Sequence, residues 1–422
     1  MNRKILRFLI EIIFASFVVQ IALFPLLVNT FHQVSWVALP ANLFMIPYFS
    51  FILMPLGMLG LLFSWIHPAW APLFFKLAAY FLKLALELLK MLTLPSWSTT
   101  WIPSMNAFQI ILYVGMILVF LISLEKRKKI LVLLALLILN IAVWIYPVWA
   151  DFHNSNLRIS FLDVGQGDSI LIEFPHGKKM LVDAGGVAGT SFDVGEKVLI
   201  PTLLGRGITH LDYLVLTHPH PDHFGGIMGL LKVYRPQEFW WNGEKVESPD
   251  FLELLKILEQ KQIPIFKKDS VSQEVNVNGV KIQFLHPSAN AFFPDKPDAA
   301  TLNNHSLVMN LEDRGFSVLL SGDVQKEGEM EMWANNILHP VDLLKVPHHG
   351  SNTSSTEKFL DRLKPHEVVI QLGRNNRFGF PKPEVLESYQ KIGAKVYRTD
   401  QNGEINFTWD GSKTKISCYE GC

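Results

Sequence analysis

The sequence predicts two fold classes in one chain: an N-terminal all-α transmembrane bundle over residues 1–150, and a C-terminal α/β domain over residues 151–422, an αββα sandwich. Three observations lead there. Apolar stretches of bilayer length crowd the first part. Short buried or alternating runs replace them after residue 157. Each chemically loaded motif of the second part directly follows one of those runs, where ligands sit on loops at strand ends.

The 422 residues balance 38 Lys and Arg against 38 Asp and Glu. The balance is a cancellation. Residues 1–150 hold ten Lys/Arg and three Asp/Glu, a net +7, which leaves the remainder at −7. A mildly acidic second part does not offer a broad nucleic-acid surface, so any DNA contact there is local or metal-mediated. The two cysteines, Cys418 and Cys422, exclude a disulfide framework and read as two tail thiols.

Residues 5–28, 41–66, 108–124 and 130–148 are each apolar enough to read as spans, and Pro47 and Pro55 are tolerable inside a membrane helix. No small-residue cleavage site follows the first, and further spans do, so it does not read as a signal peptide. The segment 71–91 differs. Lys76, Lys83, Glu87 and Lys90 recur at offsets that put all four in one stripe of a helix, which suits either a helix lying in the interface or a span facing a wet interior. Arg3, Lys4 and Arg7 place the N-terminus in the cytoplasm, and the run from Lys126 to Lys129 belongs there too. Both hold if 71–91 crosses. Five crossings then leave the second part outside the cytoplasm. Trp97, Trp101, Trp144 and Trp149 fall at the outer ends of these segments, as in an aromatic belt.

In the second part, 158–164, 169–174, 179–182, 211–216, 343–346 and 367–372 read as strands. Hairpins are predicted over 274–284, around Asn278-Gly279, and over 306–320, around Asp313 to Gly315, and two closing strands around Asn402-Gly403. Helices are predicted over 192–204, 251–261, 326–335, 356–363 and 383–392.

The run LDYLVL ends in His218-Pro219-His220-Pro221-Asp222-His223. Three imidazoles and a carboxylate within six residues suit zinc, manganese or iron. One loop does not complete a two-metal site. Asp323 follows the strand SVLLSG and is placed to bridge two ions, the alternative being a helix N-cap. His348 and His349 follow DLLKVP. The reading takes His348 as the ligand and His349 as a donor behind the ligands. Asp183, in LVDAGG, is assigned to orient a ligand histidine, and Asp168, in GQGDS, to do the same, to touch substrate or to form a turn. Two divalent ions, zinc or manganese, would make water a nucleophile near neutral pH, and Asp222 is placed both to bind an ion and to steer that nucleophile.

The stretches FLDVGQGDSILIEFPHGKKMLVDAGG, FDVGEKVLIPTLLGRGI, LVLTHPHPDHFGG, NNHSLVM, LLSGD and LLKVPHHGS run in order from about 157 to 351. Together they resemble the C-terminal, metallo-β-lactamase-like hydrolase domain of the ComEC family, the DNA-internalisation channel of natural competence. The apolar half resembles the last part of that family's membrane domain. The resemblance implies a multi-pass protein of the bacterial inner membrane that passes single-stranded DNA, with an extracytoplasmic nuclease or phosphodiesterase domain. It implies His218, His220, Asp222, His223, Asp323 and His348 as metal ligands, and Asp168, Asn304 and Ser306 as site-lining positions. Two departures bear on activity. The family's Y-G-H-P stretch is Phe378-Gly379-Phe380-Pro381 here, so Phe380 stands for a histidine able to contact substrate or give a proton. The N-terminal soluble domain and earlier helices of the family are not in this sequence, which implies a truncated or split version, a partner chain supplying helices, or a homo-oligomer. Two alternatives stay open: a membrane-tethered metallo-hydrolase of another extracytoplasmic phosphodiester, and a catalytically impaired channel component.

Overall fold

The computed structural model describes residues 3–122, 125–187, 189–190, 192–267, 274–288 and 291–422. Two compact units make it up: Met1–Leu136 with Leu204–Gly207, and Leu137–Leu203 with Ile208–Cys422.

The first unit is helical. Helix α1 is Arg3–Phe31 and α2 is Ala38–Tyr48. A π turn, Phe49–Leu53, carries α2 into α3, Met54–Ile66; α4 is Ala71–Thr93, α5 is Ala107–Leu121, and α6, Lys126–His153, runs on into the second unit. The π turn lies between Pro47 and Pro55, whose missing N–H groups open the regular ladder there. A two-strand ladder, β1 (Gln33–Ser35) with β2 (Thr99–Trp101), ties the end of α1 to the chain after α4. The Asn29 side chain donates to Met105 O at 2.9 Å and accepts from Met105 N at 2.7 Å. Asn106 and Gln109 close a reciprocal capping box that starts α5.

Among the described residues, Arg7–Phe31, Ala38–Ile66 and Lys126–His153 are long and apolar enough to cross a membrane. The sequence count is five. The difference lies in α4 and α5. Helix α5 has 15 residues, short of the roughly 20 a bilayer core needs, and the last two residues of the expected 108–124 span lie outside the described ones. Helix α4 is long enough but carries four charges. Its packed side is Phe74, Ala78, Phe81, Ala85 and Leu88, at helical spacing, with the Phe74 and Phe63 rings stacked at 4.9 Å. Lys76, Lys83, Glu87 and Lys90 all occupy the opposite side.

The second unit is an αββα sandwich. Its first sheet comprises β3 (Leu157–Phe161), β4 (Ile170–Glu173), β5 (Lys179–Val182), β6 (Tyr213–Leu216), β7 (Glu238–Trp241) and β8 (Ile265–Lys267). Its second comprises β9 (Glu274–Val277), β10 (Val280–His286), β11 (Val308–Asp313), β12 (Phe316–Leu320), β13 (Leu343–Lys345), β14 (Glu367–Ile370) and β15 (Lys395–Arg398). The closing hairpin, β16 (Ile405–Trp409) with β17 (Thr414–Cys418), returns to the first sheet. The orders are β17-β16-β3-β4-β5-β6-β7-β8 and β15-β14-β13-β12-β11-β10-β9. Strands β5 to β8 run parallel to one another, as do β12 to β15.

Alternation fixes which face goes inward. Ile170 and Ile172 of β4, Val280 and Ile282 of β10, and Ile405 and Phe407 of β16 meet between the sheets with Phe161, Trp240 and Met309. Each fully buried side chain of this size contributes ~1.5–3 kcal/mol. A second core joins the outer face of the second sheet to the helices Lys326–Ala334, Glu357–Leu363 and Pro383–Lys391 through Met332, Phe359 and Tyr389. The Asn278-Gly279 and Arg314-Gly315 turns both adopt positive φ, as two-residue hairpins require.

Two expectations change. The closing hairpin turns at Asp410–Lys413, not at Asn402-Gly403, because Asp410 Oδ1 accepts from the N–H groups of Ser412 and Lys413 and folds the chain locally. The two cysteines are joined: Cys418 ends β17, the chain turns back at Gly421, and Cys418 and Cys422 form a disulfide with their Cα atoms 5.2 Å apart.

Candidate metal centre

Strand β6 carries the first group of candidates. It is parallel to both neighbours and buried along its length, so the chain leaves it at the sheet's edge as a loop. His218 is fully buried there, and its Nε2 lies 3.0 Å from His220 Nδ1. His220 N-caps a one-turn helix, Pro221–Phe224, whose first turn presents Asp222 and His223.

His223 is held from behind. Asp183, which follows β5 with φ 59°, receives the N–H and the hydroxyl of Thr217, each at 2.8 Å. Its Oδ2 lies 2.7 Å from His223 Nδ1. That contact turns His223 Nε2 toward Asp323 Oδ2, 3.3 Å away. Burial alone would lower the His223 imidazolium, but the carboxylates of Asp323 and Asp183 overcome it and hold the group well above its ordinary range. Burial, with the charge on His223 and the neighbouring His220 ring adding to it, drives His218 well below its own.

The second sheet supplies the rest. Asp323 sits just beyond β12 and does not cap the helix Lys326–Ala334, whose N-cap is Gln325. Its backbone N–H donates to Ser306 Oγ at 3.0 Å, and Ser306 Oγ is also 3.3 Å from His218 Nδ1. Lys345, the last residue of β13, is completely buried; its ammonium reaches Gly322 O at 2.8 Å, Asp323 Oδ1 at 3.1 Å, and Asp168. The sequence reading passes over Lys345, because a lysine in LLKVP looks like part of a strand.

Of the two histidines after β13, His349 is the one whose ring turns to the cluster carboxylates. His349 Nδ1 is 2.8 Å from Gln371 O, and its Nε2 faces Asp323 Oδ2 at 3.2 Å and Asp222 Oδ2 at 3.6 Å. His348 points elsewhere. Its Nδ1 meets Thr353 Oγ1 at 2.9 Å, its Nε2 meets Asn303 Nδ2 at 3.3 Å, and its ring lies edge-on to Phe380 with centroids 5.8 Å apart. The backbone explains why the two rings diverge. Both residues have positive φ, 48° and 53°, and two left-handed residues in succession swing the side chains apart. The spacing of a strand does not show this.

Asp168 is buried behind the cluster, paired with Lys345, and its Oδ1 is 3.4 Å from His349 Nδ1. Its loop lies against the metal-motif helix: Gly167 has φ 108°, and a Cβ there would sit 2.1 Å from Asp222 O. Asn304 faces away from the cluster. It donates to Glu327 Oε2 and accepts from the N–H groups of Gln325 and Gly328, tying the end of the helix Ala299–Asn304 to the start of Lys326–Ala334, while its neighbour Asn303 is the residue beside His348.

Ligand-type atoms of His218, His223 and Asp323 lie within 4.8 Å of one another, and so do those of Asp222, His223 and His349. His223 Nε2 and His349 Nε2 are buried without a hydrogen-bond partner. Two buried imidazole nitrogens turned toward a shared carboxylate without a well-aligned hydrogen bond to it are the donor arrangement a divalent cation satisfies.

Residues 162–374 match the Metallo-beta-lactamase superfamily, and residues 1–127 match the Competence protein family. ComE operon protein 3 of Bacillus subtilis is 30% identical over 425 residues, taking in 97% of this chain and 53% of the relative. Recombination protein 2 of Haemophilus influenzae is 26% identical over 429 residues, taking in 96% of this chain and 51% of the relative. The chain spans about half the length of these curated relatives. Among solved structures, CmlA, a diiron β-hydroxylase from Streptomyces venezuelae, is 12% identical with a TM-score of 0.38, covering 61% of this chain and 54% of its own.

Proposed function

Since the chain belongs to the metallo-β-lactamase superfamily and carries a Competence protein domain in its membrane half, we propose that it is a DNA-uptake membrane protein whose second unit is an extracytoplasmic, metal-dependent phosphodiesterase acting on DNA. The observation that carries the reading is the convergence, from two sheets, of His218, Asp222 and His223 with Asp323 and His349, His220 lying against His218.

Those six residues would hold two divalent ions, zinc or manganese, with His349 in the place the sequence gives to His348. Bound there, the ions supply an acidified water and a counter-charge for phosphoryl oxygens. The chain's own residues do the rest. Asp183 fixes the ring of His223, Gln371 O fixes that of His349, and Lys345 holds one oxygen of Asp323 so that the other faces the histidines. The Cys418–Cys422 disulfide supports an oxidising, extracytoplasmic compartment at the inner membrane. Single-stranded DNA is the substrate and cargo on this reading, with a partner chain or a second copy completing the conduit.

One experiment tests it. The full chain in detergent, loaded with Mn²⁺ or Zn²⁺, is offered single-stranded DNA and bis-p-nitrophenyl phosphate beside His220→Ala. Turnover of both, abolished by the substitution, is expected. Turnover of the small diester alone points to another phosphodiester. Binding of DNA with no turnover of either supports an impaired channel component, consistent with Phe380 having no proton to give a substrate.

A further inference from the structure

Outside the metal cluster, the second unit contains another acid–histidine pair. Glu244 lies on the loop after β7, the strand next to β6 and parallel to it, so that loop emerges at the same end of the sheet as His218. The residue is 1% exposed, which is rare for a glutamate. Its Oε1 is 2.8 Å from His305 Nδ1, and its Oε2 is buried with no hydrogen-bond partner. Asn242 completes the grip: its amide donates to His305 O at 2.8 Å, and its Oδ1 accepts from Glu244 N at 3.1 Å. Phe293 closes the ring edge-on, with centroids 5.1 Å apart.

A carboxylate buried this completely, with one partner, is costly unless it serves something. Here it fixes one ring nitrogen of a histidine that stays partly open, at 17% side-chain exposure. The position matters as much. His305 stands between Asn303, whose side chain hydrogen-bonds His220, and Ser306, which touches His218 and Asp323. The next residue is tied to the metal loop itself, since Leu307 N donates to Thr217 O at 2.8 Å. The segment that carries His305 is therefore held on both sides against the centre.

We propose that His305, oriented through Nδ1 by Glu244, presents its Nε2–H at the rim of the centre and protonates the oxygen that leaves phosphorus. This rests on the phosphodiesterase reading and adds the proton donor that Phe380 does not supply. The water oxygen bonds to phosphorus as the P–O bond to the leaving nucleoside breaks. The leaving oxygen takes the Nε2 proton and departs as an alcohol, and the proton released by the water returns through solvent to the imidazole. Glu244 is the positioning residue of this pair.

The leaving group provides the test. A p-nitrophenolate departs without a proton, whereas a nucleoside alkoxide needs one, and a positioned acid is worth about 10²–10⁴-fold. The full chain in detergent with Mn²⁺ is assayed on bis-p-nitrophenyl phosphate and on a thymidine dinucleotide, unmodified and as His305→Ala, His305→Gln and Glu244→Leu. Bound manganese and the melting temperature are followed for each. The expected result is a loss of at least ~10²-fold on the dinucleotide for both His305 variants, a smaller loss for Glu244→Leu, and less than ~3-fold change on the activated diester, with manganese retained. Equal losses on both substrates, or none on either, overturn the assignment to His305 while leaving the phosphodiesterase reading intact. An unmodified chain inert on both overturns that reading and this inference with it.

Discussion

Lys345 Nζ lies 3.1 Å from Asp323 Oδ1, and the other oxygen of the same carboxylate lies 3.3 Å from His223 Nε2 and 3.2 Å from His349 Nε2. One carboxylate is thus divided between a fixed internal cation and two imidazoles. Burial alone would lower the lysine, yet Asp168 and Asp323 hold it above its ordinary value, so it stays charged. Removing one partner of such a pair strands the others. Lys345→Met is expected to destabilise the metal-free chain by ~3–5 kcal/mol, read from urea unfolding by tryptophan fluorescence in detergent. A change under ~0.5 kcal/mol would show the pair to be inert.

The different directions of the two adjacent histidines have a direct consequence under the proposed ligand set. His349→Ala is expected to weaken Mn²⁺ or Zn²⁺ binding by at least ~10²-fold, and His348→Ala by less than ~10-fold, in calorimetric titrations. The reverse order would restore His348 as the ligand.

Gly167→Ala is expected to disturb the centre without touching a ligand side chain. Its Cβ would meet Asp222 O at 2.1 Å, against backbone, in a residue with φ 108°. Strain and overlap together should cost ~2–4 kcal/mol and lower bound metal, measured by unfolding and elemental analysis. Normal metal content and stability in this variant would mean that the two loops separate freely.

Glu329 gives a pH dependence remote from the metal. Burial pushes its carboxyl above the ordinary glutamate value, against the pull of the Thr356 and Ser355 N–H groups it accepts. The folded chain therefore holds this proton more tightly than the unfolded one. The stability it contributes is full below the unfolded value and is lost as pH rises through the folded value. Between pH 4 and 7 the unfolding free energy of Glu329→Gln should fall less steeply than that of the unmodified chain. Parallel curves would refute the assignment.

How much of this was readable in advance follows from the kind of signal. His218 to His223 is local, so spacing alone displays it. The two positive-φ hairpins are local as well, written in Asn278-Gly279 and Arg314-Gly315. What spacing cannot show is direction after an irregular turn, which is why it does not tell which of His348 and His349 faces the cluster. Nor can it show partners brought from another sheet. Lys345 reads as strand until Asp168, 177 positions earlier, is seen beside it, and Glu244 reads as a loop glutamate until His305 closes on it. Asn304 fails for a related reason: successive helix-end residues point in different directions, and Asn303 is the one turned to His348.

The closing hairpin has a consequence for synthesis. Strand β3, the first of the sandwich, pairs on one side with β4 and on the other with β16, Leu157 lying opposite Trp409. A ribosome delivers β3 some 250 residues before the strand that covers it. His349 and its carbonyl partner Gln371 emerge well before then, so every proposed metal ligand has been made while one edge of the first sheet is still bare. An uncovered edge invites pairing with another chain. The nascent protein is therefore most exposed to misassembly in the interval between completing its metal ligands and receiving its last two strands.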